Sequence, residues 1–305
     1  MNNAKSILQK HKATFRYDKE EIPFYFWSHL SGETDSVDTI IFLGSGQRGK
    51  ITKWVVGNAP AGTVVVEGLP HKQADRSADD LKEFAHQYTN TAFLAVLNTF
   101  NLASASIVAE SQAAPGAIWV ALDHLDRVRG VTLIAPLGLT AHILGVSSKT
   151  RLAELKRRAF LSAMQFAQSP LYDLRNFYLS ALMLHAVLYD ARWNVSGQKY
   201  AVGSSHDLRE ECRNLASQLY KKGTRLTLIL GERDKLFPPS EIVASIEEAT
   251  IQPVNIIVLE TSHASLATRG GRHILSEAVR AVRQENSSHA GEDGGSKTLK
   301  PNRES

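Results

Sequence analysis

The sequence predicts an α/β fold, a mostly parallel sheet flanked by helices. Three observations carry that expectation. Short Val/Ile/Leu runs recur along the chain, "TIIFLG", "TVVVEG", "ASIVAE", "GVTLIAP", "RLTLILG" and "NIIVLE". They are apolar on both faces, as strands of a covered parallel sheet must be. Amphipathic stretches such as "SADDLKEFAHQYTNTAFLAVLNTF" and "PSEIVASIEEA" lie between them, giving the strand–helix alternation of right-handed crossovers. Finally, 305 residues, 43% hydrophobic and 22% charged, can bury a substantial core as one large domain with an insertion or as two smaller ones.

Ahead of these runs, "ATFRY" and "IPFYFWSHL" are β-rich and separated by the charged "DKEE", which predicts a short antiparallel pair. "TIIFLG" then follows the turn-forming cluster "SGETDSVD". The alternation stops between "GVTLIAPLGL" and "RLTLILG". Residues 140–206 carry no strand signal but several helical patterns, including "KTRLAELKRRAFLSAMQFAQ" and "LYDLRNFYLSALMLHAVLYDARW". We expect a helical cap inserted late in an eight-stranded sheet, over a core built from residues 1–139 and 207–285. Residues 286–305 are polar and rich in Gly and Ser, the composition of a disordered tail.

Composition narrows the function classes. A net charge of +4 with no single basic face argues against nucleic acid as a partner. The one cysteine, Cys212, permits no internal disulfide and a cytoplasmic setting. It reads as a small residue on a helix. "MNNAKSILQKHK" lacks the apolar core of a secretion signal, and "FYLSALMLHAVLY" is too short to span a bilayer. No membrane span is expected, and a homodimer is compatible with the composition. His71, His124 and His185 are not spaced as metal ligands, so neither a metal nor an organic cofactor is expected.

"FLGSGQRGK" poses a choice. Gly44, Gly46 and Gly49 spell G-x-G-x-x-G after an apolar run, and Glu67 ends the next one, the outline of a dinucleotide-binding turn. Glycines after a buried strand also build the oxyanion loops of hydrolases. Two strands precede this loop, whereas the dinucleotide fingerprint usually sits on the first.

The later strand ends carry the chemistry, because ligands of open α/β sheets bind at the carboxyl edge. In "AESQA", Ser111 lies where a β-run meets a helix, between Ala109 and Ala113. A nucleophile on a sharp strand-to-helix turn needs small neighbours there. The bland alternative for Ser111 is a helix N-cap. "GERD" places Asp234 just after a strand, and "SHA" places His263 just after the following one. Separately they read as a turn acid and a loop histidine. Together Ser, Asp and His stand at strand ends in the chain order of the α/β-hydrolases.

From "ATFRY" to about Arg283 the chain resembles the α/β-hydrolase superfamily, on "FLGSGQ", "AESQA", "GERD", "SHA" and the helical insertion after "APLGL". The resemblance implies a catalytic triad of Ser111, His263 and Asp234. It makes "FLGSGQ" the oxyanion loop, with Ser45 the first backbone donor, Gly46 the next candidate and Gln112 the second N–H. Glu67 becomes an ordinary strand-end acid. Glu110 is expected to be buried and hydrogen-bonded beneath the elbow. Two departures stand out. Leu43-Gly44 replaces the frequent His-Gly, so the loop must be braced differently, and alanines replace the usual elbow glycines.

The implied activity is a serine hydrolase that cleaves an ester, thioester or lactone of a small to medium, partly apolar acyl substrate. Phe160, Met164, Phe177 and Met183, with Phe166, Tyr178 and Leu184, could roof its pocket or simply pack the cap onto the core. Two alternatives stay open. The Gly-Ser-Gly loop is similar to that of meta-cleavage C–C hydrolases, although Glu110 stands where those usually carry Asn. A catalytically slow hydrolase-fold protein that binds a ligand is the other.

Overall fold

The protein was analysed as a computed structural model, which describes residues 7–30, 36–44, 47–70, 78–139, 154, 157, 158, 161, 207–249, 252–261 and 271–288. Eight strands form one sheet: β1 (Ile7–Tyr17), β2 (Glu20–Leu30), β3 (Thr39–Phe42), β4 (Thr63–Val66), β5 (Ala105–Glu110), β6 (Val128–Ile134), β7 (Leu226–Gly231) and β8 (Asn255–Leu259). Their spatial order is β1-β2-β4-β3-β5-β6-β7-β8. β2 runs antiparallel to β1 and β4, and every later pairing is parallel.

The opening pair is longer than its apolar pattern suggests. Both strands span 11 residues, paired from Tyr17↔Glu20 to Ile7↔Leu30. β1 is an edge strand, so polar side chains such as Lys10 and Lys12 can face water along it without breaking the ladder, and they discourage edge-to-edge pairing. A two-residue turn joins the strands. Its Asp18 has φ 54°, a left-handed conformation that Asp tolerates. Behind the hairpin, Phe15 meets Phe84 and Tyr88 edge-on at 5.2 and 5.6 Å.

Residues of β3, β4, β5 and β7 are all buried, as mostly apolar runs require, and the few polar ones, Thr39, Thr63, Ser106, Glu110 and Thr227, are buried with them. β8, at the other edge, is only partly covered. Six α-helices are described along their length: α1 (Lys50–Asn58), α2 (Ala78–Thr99), α3 (Ala114–Asp123), α4 (Arg209–Lys221), α5 (Pro239–Ala249) and α6 (Gly271–Ser288). α6 packs on β5, β6 and β7 and touches α1. α3 also covers β5 and β6, and it continues into α2 and α4, with α5 beyond. Two helices therefore cover one face and four the other. None of these helices is long and apolar enough to cross a membrane.

α6 is pinned by Arg283, which donates to Asp38 Oδ1 at 2.8 Å and to the Ala61 carbonyl at 2.6 Å. It runs to Ser288, so residues 286–288 continue a helix rather than beginning the expected tail. Of the expected cap, Glu154, Arg157, Arg158 and Leu161 are described, and all four are helical. Arg158, only 4% exposed, donates to both oxygens of Glu241 on α5, at 2.9 and 3.1 Å, and to Glu154 at 2.7 Å. The remainder of 140–206 and the tail from 289 lie outside the described residues.

Candidate active site

β5 ends at Glu110 in extended conformation (φ −105°, ψ 130°). The next residue, Ser111, has φ 51°. The chain then enters a 3-10 turn, Ser111–Ala113, which leads directly into α3. One residue thus reverses the chain from strand to helix. A left-handed conformation costs a non-glycine residue on the order of 1 kcal/mol or more, so the surroundings must hold it. The Ser111 carbonyl accepts N–H groups from Ala114 and, at 3.2 Å, from Leu137 beyond β6. Ala109 and Ala113 on either side are buried, at 0% and 5% exposure, where a larger side chain would have no room. Gln112 lies in the first turn of this helical segment, where backbone N–H groups have no helical partner and favour negative charge.

Opposite the elbow stands the loop from β3 to α1. The position of a Cβ on Gly44 would lie 3.7 Å from Ser111 Cβ, which sets the loop against the serine. The Leu43 N–H extends the sheet to the Val66 carbonyl at 3.3 Å, and the Gln47 N–H returns to the Gly44 carbonyl at 3.2 Å. Two carboxylates brace this turn. Glu110, 1% exposed, accepts the Gln47 amide at 3.0 Å on Oε1 and the Gly44 N–H at 3.5 Å on Oε2. Glu67, 4% exposed, accepts the Gly49 N–H at 3.0 Å and Arg48 Nε at 3.1 Å. Arg48 also donates to the Pro23 carbonyl at 3.3 Å. The reading of Glu67 as an ordinary strand-end acid is therefore corrected: it is a buried bracket for the glycine loop. The acid that a dinucleotide fingerprint would assign to a ribose is instead occupied by the loop itself.

Two glycines are fixed by geometry. Gly49 (φ 61°, ψ −111°) opens α1 in a conformation that side chains rarely adopt. A Cβ on Gly68 would sit 2.0 Å from the Gly44 carbonyl oxygen, and the Gly68 N–H donates to the Gln47 carbonyl at 3.0 Å. Tyr88 adds a hydroxyl donated to the Glu67 carbonyl at 3.1 Å, and burial pushes its phenol upward. The bracing roles of Gln47, Glu67 and Gly68 were not anticipated. For Glu67 and Gly68 the signal in the sequence was the Glu-Gly pair closing "VVVEG", readable only once β4 is known to lie beside β3.

Asp234 follows β7 and is 2% exposed. Its Oδ1 accepts the N–H groups of Leu236 and Phe237 at 2.8 and 2.9 Å, so one carboxylate oxygen is spent on shaping its own turn. Neighbouring backbone ties this turn to the end of β8. Glu232 N–H reaches the Leu259 carbonyl at 2.8 Å, and Arg233 N–H reaches the Thr261 carbonyl at 2.9 Å. The described elements thus bring Gly44, Ser111 and Gln112 together, and place Asp234 beside the segment leading toward residue 263. Ser45, Gly46, His263, Phe160, Met164, Phe177, Met183, Phe166, Tyr178, Leu184, His71 and His185 lie outside the described residues. His124 ends α3 and shares a 2.7 Å hydrogen bond with Asn90 Oδ1.

The eight-stranded order, the antiparallel β2 and the β5 elbow are the α/β-hydrolase fold, and this chain has it. Among solved structures it is similar to MGS-M2, an α/β-hydrolase enzyme from a Medee basin deep-sea metagenome library. The TM-score is 0.56 at 16% identity, covering 89% of this chain and 98% of that one. It is also similar to the peroxisomal α/β-hydrolase Lpx1 of Saccharomyces cerevisiae, at 0.57 and 11% over 98% and 94%. Haloalkane dehalogenase DbeA of Bradyrhizobium elkani gives 0.52 and 13% over 92% and 100%. No protein-family model and no curated protein sequence matches the chain.

Proposed function

We propose that this protein is a serine hydrolase acting on an ester, thioester or lactone of a small to medium, partly apolar acyl group. The observation that supports it most directly is Ser111 at φ 51° between β5 and a helical N-terminus, facing the glycine loop. A helix N-cap would leave its residue in the β-region; a left-handed serine presents its hydroxyl at the turn's apex instead.

In this reading His263 takes the hydroxyl proton as Ser111 attacks the acyl carbon, since a serine hydroxyl is a weak nucleophile unaided. Asp234 fixes the imidazole tautomer and stabilises the imidazolium. Backbone N–H groups of Ser45, or Gly46, and Gln112 receive the oxyanion, each contributing about 3 kcal/mol. The leaving group departs with the proton from His263, and a water activated by the same imidazole releases the acid. Phe160, Met164, Phe177 and Met183 are assigned to the acyl pocket.

The test is labelling by a fluorophosphonate probe in wild type, Ser111→Ala and His263→Ala. Rapid labelling of wild type, lost in both variants, is the expected result. A folded wild type that is not labelled removes the active-hydrolase reading in favour of a ligand-binding protein.

A further inference from the structure

Glu110 precedes the nucleophile, yet its side chain belongs to the opposite wall. Both oxygens reach across to the β3–α1 loop: Oε1 to the Gln47 amide at 3.0 Å and Oε2 to the Gly44 N–H at 3.5 Å. The two contacts fall on the residues flanking positions 45 and 46, whose own N–H groups are the proposed oxyanion donors. The Gln47 amide depends on this carboxylate. Its Oε1 is buried with no hydrogen-bond partner among the described residues, while its Nε2 donates to Glu110.

From this geometry we infer that Glu110 is a positioning residue: its carboxylate ties Gly44 and Gln47 of the glycine loop to the elbow and so sets the spacing between that loop and Ser111. The inference rests on the hydrolase reading for its catalytic consequence, but not for the tether itself. Ser111 and Glu110 share a peptide bond, and Glu110 bonds to both flanks of the loop. A shift of the loop therefore breaks charge-assisted hydrogen bonds in a buried place, where an abandoned acceptor is costly. Backbone donors stabilise an oxyanion only when held at hydrogen-bond distance before the charge develops. A tether one residue from the nucleophile delivers that with few intervening torsions. Glu67 holds the far end of the same loop through Gly49 and Arg48, so Glu110 governs the near end specifically.

The experiment uses Gln47→Met, Gln47→Glu and the exchanged pair Gln47→Glu with Glu110→Gln, in the full chain. Hydrogen exchange across residues 43–50 and hydrolysis of p-nitrophenyl butyrate are measured, with thermal unfolding as the check on folding. Gln47→Met removes the donor at similar size, and Gln47→Glu sets two carboxylates against each other. Both should speed exchange in the loop and lower kcat on the order of tenfold to a hundredfold with KM within about twofold, as expected for displaced transition-state donors. The exchanged pair restores one donor and one carboxylate across the contact, and should recover both readouts. Rescue by exchange is not expected of side chains that merely fill space.

Unchanged loop exchange in folded Gln47→Met and Gln47→Glu would overturn the tether. Faster exchange with unchanged kcat would overturn the positioning role. A wild type with no turnover removes the hydrolase reading, and loop exchange in the three variants then decides the tether alone.

Discussion

The backbone N–H of Arg233 donates to the Thr261 carbonyl at 2.9 Å, joining the turn that carries Asp234 to the chain two residues before His263. This link and the Glu232–Leu259 bond at 2.8 Å extend the β7–β8 pairing beyond the strands. The carboxylate turn is thus joined by main chain to the end of β8, and the Arg233 side chain adds a bond to the Glu260 carbonyl at 3.5 Å. Substitutions around it should change chemistry without displacing the backbone.

Asp234→Asn separates the two duties of the residue. The amide oxygen can still accept the Leu236 and Phe237 N–H groups, while the charge that would support His263 is gone. Fluorophosphonate labelling should slow on the order of a thousandfold or more, with the unfolding midpoint nearly unchanged. Asp234→Ala should slow it as far and in addition lower stability by about 1–2 kcal/mol, because two N–H groups lose their acceptor. Urea unfolding of both variants checks the separation.

At Gly68 any side chain meets backbone. A Cβ 2.0 Å from the Gly44 carbonyl oxygen cannot be relieved by rotating a side chain. Gly68→Ala should cost about 2–3 kcal/mol in unfolding free energy and reduce the labelling rate, because the loop must back away from β4. A Gly68→Ala protein that labelled at the wild-type rate would sink this account of the loop.

The ion cluster joining Arg158 to α5 predicts a pH dependence. Hydrogen bonds from Arg157, then from Arg158, pull the Glu154 carboxyl from 4.5 down to about 2. Its folded value lies below its unfolded one, so its contribution is fully present above pH 4.5 and fades as pH falls toward 2. The stability gap between wild type and Glu154→Gln should therefore narrow across that window. Melting curves of both proteins, from neutral pH downward, measure it. Glu241→Gln should weaken the bidentate hold on Arg158, 4% exposed, and destabilise more than Glu154→Gln does.

Burial pushes the Cys212 thiol up to about 12, with Glu211 adding to the shift. The folded protein should react with a thiol reagent such as dithionitrobenzoate far more slowly than the guanidinium-unfolded chain. Comparable rates would mean that α4 opens readily.

Legibility in the sequence followed the range of the interactions. Strands β3 to β7 and the helices between them announce themselves through local runs, because double burial keeps most positions apolar and admits only scattered polar residues such as Ser106, Thr132 and Thr227. The strained turn at Ser111 was readable for a related reason: it admits only small neighbours, and Ala109 and Ala113 record that. The length of β1 was hidden, since an edge strand may carry lysines. The bracing of the loop was hidden more deeply. Glu67 and Glu110 reach Gly49 and Gly44 only because β4 and β5 flank β3, an adjacency made by crossovers that no window of sequence contains.

The braced loop has a consequence for anyone wishing to move it. "FLGSGQRGK" is contiguous in sequence but not self-sufficient: Glu67 and Gly68 come from the next strand's end, Glu110 from the strand beyond, and the Pro23 carbonyl from the hairpin. Grafted alone into another hydrolase scaffold, the peptide would arrive without its mould and settle into whatever shape the recipient imposes. The transferable unit is four separated segments, and a chimera that carries all four is the smallest one expected to reproduce the loop.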